Sequence, residues 1–490
     1  MQLILIFIFL LGIYINSCLL YDTLILISRQ RWYVFSYNFK IIILITLKIL
    51  ILIWFLYIIK LYFFFWDDNN YSLKLNNYSF QLDFFFGIGL ISLSINELAL
   101  IFLVLISLLY PLILLLMQYD LDFSNYKYFN YMIWLYFFIF LFILANDITS
   151  FYIFYEIMIA LVFLIMYTTS NSRGCIEAVL FFLGWAIIGS FCLSIAIIYI
   201  LIIIRLNYFD EIWNYSFTIH EYYILYCLFF FGFGTKLALW PFWYWLPRAH
   251  VEVSTGMSIF LSCILIKVCF FGLLKFIYLI GFSFFIIPFV FFLGLGVFDV
   301  TIRLIMQTDL KAITAYGSVL HINLFIILFF FDSNLLNSGL IYYIWGHSYA
   351  TAGIFFTINL IERISSTRLT FEMSGIYKYN ASIGFIAIFA LISFLEFPLS
   401  FFFWGEIWLW IVLLDSLTYF TIVLILISIF FYIIIFFRIW WFIIFGSLRF
   451  YMIYPSEVIS LNDYLICFYI IFSQYYIGIY PSLICWYFYD

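Results

Sequence analysis

The chain has 490 residues, of which 68% are hydrophobic, 26% aromatic and only 9% charged, with a formal net charge of -5 and a mean hydropathy of +1.20. Values this far outside the globular range define a polytopic membrane protein, and at roughly 20 residues per spanning helix the chain holds about fourteen spans and no sizeable soluble domain. The 68 Phe and 42 Tyr point to an AT-rich coding sequence choosing among interchangeable lipid-facing residues, as in an organellar gene.

From the N-terminus, residues 1–20 (MQLILIFIFLLGIYINSCLL) show no basic flank, no small-residue cleavage site and no Arg- and Ser-rich transit pattern, and read as a retained first helix. A second apolar run covers 41–66. The polar stretch Asp67 to Asp83 (DDNNYSLKLNNYSFQLD) then reads as an exposed loop. Further apolar runs lie near 98–117, 130–146, 148–167, 177–204, 222–245, 254–280, 283–299, 311–331, 336–361, 381–410, 417–446 and 464–487. Two of these are predicted to be broken: 222–245 holds Gly232, Gly234 and Pro241, and 381–410 holds Pro398. A proline removes an intrahelical hydrogen bond and clashes with the preceding turn, which a bilayer helix tolerates where the freed backbone lines protein or water. The eight Cys are scattered without a C-x-x-C pair, so neither iron–sulfur ligation nor a disulfide framework is indicated.

Charge inside these runs is the strongest functional signal. An ionisable side chain at bilayer depth costs roughly 2.5–3.5 kcal/mol on insertion scales, so Glu156, Lys236, Lys267 and Glu406 are candidates for ion or proton movement. Lys236 and Glu406 each lie in a broken span, and each follows a span with its own buried ionisable group, Glu156 and His321, at separations of 80 and 85 residues. Inverted repeats meeting at discontinuous helices would account for the pairing. The chain then divides into N-terminal helices over 1–129, a first repeat over 130–280, a second over 281–447 and a C-terminal helix over 448–490.

The densest constellation runs from Gly234 to Lys275 and contains GTKLALWPFWYWLPRAHVE. Lys236 and Lys267 are read as neighbours on adjacent helices joined by a turn holding Arg248, His250 and Glu252. Burial disfavours an ammonium and a nearby carboxylate favours it, so Glu156 is the natural partner of Lys236, either as a static pair or as a movable one. His321 closes DLKAITAYGSVLH and His347 sits in IWGHSYATAG; a dry histidine either passes protons or serves as a hydrogen-bonded structural residue. Arg303, Asp309 and Lys311 are read as interfacial and snorkelling, Arg438 as an anchor beside Trp440 and Trp441, and Lys275 as a path extension or an interface marker. Glu396, beside Pro398, is either a second relay carboxylate or a cap for the broken helix.

LWPFWYWLPRAHVE, DLKAITAYGSVLH, NLIERISSTR (Asn359 to Arg368) and the segment from Pro398 to Glu406 with Phe403 and Gly405 resemble the antiporter-like subunits of respiratory complex I, NADH:ubiquinone oxidoreductase, over about Leu93 to Leu413. A-H-V-E after W-L-P, and Glu instead of Lys in the second broken helix, set the chain apart from that complex's chains 2 and 5. The resemblance implies an all-α bundle of fourteen helices with two inverted five-helix repeats and a midplane line of charge. Glu156 would be the carboxylate paired with the broken-helix lysine Lys236, Lys267 the connecting lysine, His321 and His347 the central polar axis, and Glu406 the exit-side carboxylate. It further implies no cofactor in this chain, with NADH, flavin, iron–sulfur clusters and ubiquinone in other subunits, chains 2 and 5 as neighbours, and the mitochondrial inner membrane as location.

The family pattern is departed from at Lys236-Leu237-Ala238, where K-x-P is usual, at Trp243 in place of a His, at Ser254 in place of a Pro and at Leu399 in place of a Gly. A cation/proton antiporter without electron transfer shares the lysines but would carry Lys where this chain has Glu406. A haem protein would use His321 and His347 as axial ligands, yet four scattered His do not make two pairs. A scaffold role is the remaining alternative.

Overall fold

The computed structural model describes residues 78–82, 91–120, 126–169, 172–205, 207–213, 215, 217–280, 286–331, 338–416, 419–447 and 461–481. The helices expected over 1–20 and 41–66 lie outside the described residues. The loop expected over 67–83 needs correction at its end. There Tyr78–Leu82 (β1) pairs antiparallel with Ile91–Ile95 (β2), Ser79 opposite Ser94, because pairing satisfies backbone groups that an extended segment would otherwise leave open. Asp147 fixes this ribbon to the bundle: its Oδ1 accepts from Ser92 N–H at 2.8 Å and Ser92 Oγ at 2.6 Å, and its Oδ2 accepts from Ser150 N–H at 3.2 Å.

The rest is helical. With no water at bilayer depth, an apolar run must satisfy its own backbone, and a helix does so within one segment. In chain order the helices are α1 (Glu97–Asp120), α2 (Tyr126–Leu144), α3 (Ile148–Thr169), α4 (Arg173–Tyr199, extended by a π turn over Ile200–Ile204), α5 (Phe209–Trp213), α6 (Ile219–Lys236), α7 (Trp245–Glu252), α8 (Thr255–Phe260, followed by a π turn over Leu261–Leu265), α9 (Ile266–Ile280) and α10 (Ile286–Ile305). They continue with α11 (Leu310–Phe331), α12 (Ser338–Ser365), α13 (Ile376–Tyr379), α14 (Ala381–Phe394), α15 (Phe401–Ser416), α16 (Tyr419–Phe445) and α17 (Leu461–Ile479). Among the described residues, each apolar run predicted from residue 98 onward lies mainly on helix. Starts are set locally: Ser172 accepts from Cys175 N–H, Thr218 and Glu221 form a reciprocal capping box, and Asn380 accepts from Ser382 and Ile383 N–H.

Both predicted breaks are present. The first lies between α6 and α7, with Lys236 as the last residue of α6 and Ala238 at φ 55°. Arg248, His250 and Glu252 therefore sit on the second half-helix, α7, and not in a connecting turn, because the chain resumes helix after Pro241 and turns only at Val253 and Ser254. The second break separates α14 from α15, with Glu396 at φ 57° and Leu399 at φ 77°.

Among the described residues, five helical stretches are long and apolar enough to cross a membrane: Ile148–Thr169, Arg173–Ile203, Thr255–Phe276, Leu310–Phe330 and Thr421–Phe445. The most apolar window of Thr255–Phe276 is 100% buried, against 33% for Arg173–Ile203 and Thr421–Phe445. The stretch carrying Lys267 is thus the axis of the bundle, and α4 and α16 form its perimeter. α12 packs on α14, α15 and α17, and α10 on α11 and α16. One close approach is between α12 and α15. A Cβ on Gly346 would lie 2.5 Å from Phe402 Cα, and one on Gly405 would lie 2.7 Å from Tyr343 Cα, so glycine at both positions lets the two backbones touch.

Candidate functional site

Lys236 ends α6, where the carbonyl end of a helix favours a cation. Its Nζ stands 3.4 Å from Glu156 Oε1 on α3 and 4.0 Å from the centre of the Tyr155 ring. Lys236 is buried while Glu156 is a third exposed, so the pair connects the interior with the outer face of the bundle. Tyr155 also reaches the axial helix, its hydroxyl donating to Cys269 Sγ at 3.8 Å.

Two residues before Cys269, Lys267 turns the other way. The π turn over Leu261–Leu265 widens the helix and leaves the Ser262 carbonyl to accept from Lys267 Nζ at 2.6 Å. The same Nζ lies 2.7 Å from His347 Nδ1 on α12, with both side chains buried. The His347 and His321 rings are 5.7 Å apart. His321, on α11, has Nδ1 3.3 Å from the Tyr343 hydroxyl and Nε2 3.2 Å from the Tyr432 hydroxyl. Both nitrogens are thus engaged by protein groups, which does not fit axial ligation of a haem. Beyond His321, Glu396 Oε1 stands 3.1 Å from Nδ1. Glu406, six residues into α15, accepts from Trp410 Nε1 at 3.2 Å and is close enough to His321 for their charges to interact.

The geometry thus brings Glu156 to Lys236, Lys267 to His347, and His321 toward Glu406. Three residues found here carry no sequence signal: Tyr155, Tyr343 and Tyr432 hold the ionisable groups, but three tyrosines among 42 are invisible as a pattern.

The charges read as interfacial divide. Lys311 is buried, with Nζ 3.7 Å from Glu362 and donating to the Val253 carbonyl at 3.2 Å. The snorkelling assignment is corrected, because a carbonyl left free past the end of α7 and the Glu362 carboxylate hold the ammonium inside. Arg368 joins the cluster through Glu362 at 3.6 Å and Asp309 at 3.9 Å, and donates to the Val251 carbonyl. Arg303 is partly exposed and pairs with Asp299 at 2.9 Å, stacking over Trp243 at 5.0 Å. Lys275 donates to the Ala145 carbonyl and lies 4.2 Å over the Phe209 ring. His250 is fully buried against Phe355 at 4.9 Å. A pair at 3.3 Å between partly exposed Arg363 and buried Asp463 ties α12 to α17.

A bundle of membrane-length apolar helices with two broken helices and buried Lys, His and Glu is the architecture of a membrane-embedded protein. The model of the NADH:quinone oxidoreductase/Mrp antiporter transmembrane family matches residues 145–432, and the chain belongs to that family. It is similar to NADH-ubiquinone oxidoreductase chain 4 of Paramecium tetraurelia, at 32% identity over 51% of this chain and 52% of the relative. The same-named chains of Acanthamoeba castellanii (31% identity, 53% of each) and Chondrus crispus (29%, 65% of each) also match. The chain spans about half the length of the first two of these relatives. Among solved structures it shares the fold of the Mrp complex from a Dietzia species (TM-score 0.78, 14% identity, 96% of this chain and 95% of that one). It also shares that of respiratory complex I from Thermus thermophilus with bound NADH (TM-score 0.73, 16% identity, 83% and 86%). The resemblance read from the motifs agrees with these matches.

Proposed function

We propose that the chain is the chain-4-type, proton-translocating membrane subunit of respiratory complex I in the mitochondrial inner membrane. In this reading NADH, flavin, iron–sulfur clusters and ubiquinone act in other subunits, and antiporter-like chains 2 and 5 are its membrane neighbours. The residues 130–280 and 281–447 are its two inverted repeats. The chain-4 names of its relatives support the reading.

The observation that carries it is the buried contact of Lys267 Nζ with His347 Nδ1 at 2.7 Å. An ammonium and an imidazole on separate helices can form that bond by sharing a proton, with the lysine as donor and the neutral ring as acceptor. Its neighbours on either side are also ionisable. A charge change arriving at the third-exposed Glu156 shifts its pairing with Lys236, and the altered field drives a proton from Lys267 through His347 and His321 toward Glu406.

The test is the purified complex in liposomes with Lys267→Ala, reading protons moved per NADH oxidised beside the amount of assembled complex. Pumping is lost if Lys267 carries the proton; an unchanged ratio in assembled complex leaves the charges as scaffold and ends the proposal. The match to the Mrp complex over 96% of the chain favours a second reading, a cation/proton antiporter subunit. That reading predicts sodium-driven proton movement without NADH in the same vesicles.

A further inference from the structure

We infer that Glu396 is a proton-carrying carboxyl that joins His321 to Glu406, a step that none of the family-like motifs marks. The inference rests on the proton-translocating reading above. Glu396 sits in the second break, buried at 6% exposure, where a titratable group without water is costly unless it works.

Its surroundings are those of a relay. Oε1 lies 3.1 Å from His321 Nδ1 and, among the described residues, has no aligned hydrogen-bond partner of its own, so a buried acceptor faces an imidazole nitrogen. Its carboxyl is within hydrogen-bonding reach of Glu406 and of the Tyr343 hydroxyl. Two ionised carboxylates offer only acceptors and repel, so a hydrogen bond between Glu396 and Glu406 requires a shared proton. The capping alternative fails on the backbone. α14 is closed by Leu395 N–H to Leu391 O at 3.0 Å and Phe397 N–H to Ile392 O at 3.2 Å, and α15 is opened by the Ser400 hydroxyl accepting from Phe403 N–H at 3.3 Å. Glu396 also holds φ 57°, a conformation that non-glycine residues rarely adopt and that clusters at working sites.

The transfer balances. With one proton shared between the two carboxyls, a second proton arriving on His321 leaves Nδ1 for Oε1 of Glu396. The N–H bond breaks, an O–H bond forms and the imidazole returns to neutral. The carboxyl pair then holds two protons and releases one from partly exposed Glu406.

The experiment uses the intact complex in liposomes. Glu396→Gln keeps shape but cannot carry the proton, and should lower the rate of proton pumping on the order of a hundredfold, with Glu396→Asp restoring part of the loss. Infrared difference spectra of the unmodified complex should show two carboxyl bands titrating in coupled steps among the facing groups His321, Glu406, Tyr343 and Tyr432, with one band absent in Glu396→Gln. Unchanged pumping in Glu396→Gln, while Lys267→Ala abolishes it, overturns the role of Glu396 and leaves the proton-translocating reading standing. Unchanged pumping in both overturns that reading and this one with it. Should Glu396→Gln fail to assemble, the unmodified spectra decide: a single uncoupled carboxyl step overturns the proposal.

Discussion

The two broken helices close their backbones in similar ways but place ionisable groups of opposite kind at the break. At the first break the backbone closes through Leu237 N–H to Phe233 O at 2.8 Å and Leu239 N–H to Gly234 O at 2.9 Å, and side chains add to it: Asn323 Oδ1 accepts from Trp240 N–H at 3.3 Å, and Trp245 Nε1 donates to the Thr235 carbonyl at 2.6 Å. The charge there is a cation at a helix carbonyl end, Lys236, where the helix dipole helps it. At the second break the backbone closes on itself through Leu395, Phe397 and Ser400, and the ionisable group is an acid, Glu396, at the same polarity of helix end. An anion is poorly placed there, whereas a carboxyl sharing a proton with Glu406 fits. On the proposal above, the first break holds a charge and the second a proton.

The contrast can be broken most severely at the α12–α15 contact that supports the second break. Gly346→Val places side-chain carbon into the Phe402 backbone. It should destabilise the chain by about 3 kcal/mol, seen as a lower thermal midpoint of the detergent-solubilised complex and loss of assembled enzyme. A comparable insertion at Gly353, where a Cβ meets nothing nearer than 3.5 Å, should be milder.

Asn323→Leu sharpens the comparison from the other side. It leaves the Trp240 N–H without its acceptor, at a cost of about 2 kcal/mol, and the same thermal measurement should register it. Ser400→Ala removes the side-chain cap of α15 and the bond the hydroxyl donates to the Phe397 carbonyl at 2.8 Å, an effect of about 1 kcal/mol. If the Ser400 variant proved the more damaging of the two, the view that the second break closes largely through its own backbone would be wrong.

Much of this was legible without coordinates. The helical class, the apolar runs among the described residues from 98 onward and both proline-marked breaks follow from apolar length and proline geometry, and the cost of burying charge singles out Glu156, Lys236, Lys267 and Glu406 as candidates. Reading was poorest where a side chain's partner lies far away in sequence. Lys311 looked interfacial beside Asp309, yet it is held inside by Val253 and Glu362, 58 and 51 residues away. Glu396 had two equal readings until His321 was found 3.1 Å from it. Asp463, in a region without motif similarity, proved to be the buried partner of Arg363, 100 residues earlier.

The sequence by itself determined that this chain lives in a bilayer, where its helices must break, and which side chains are costly to bury there, because transfer energies and proline geometry act on short segments. Only the tertiary structure decided which of those groups touch. That depends on close approaches such as Gly346 on Phe402 and on the π turn that aims Lys267 at His347, and both arise from packing between helices that no local pattern encodes.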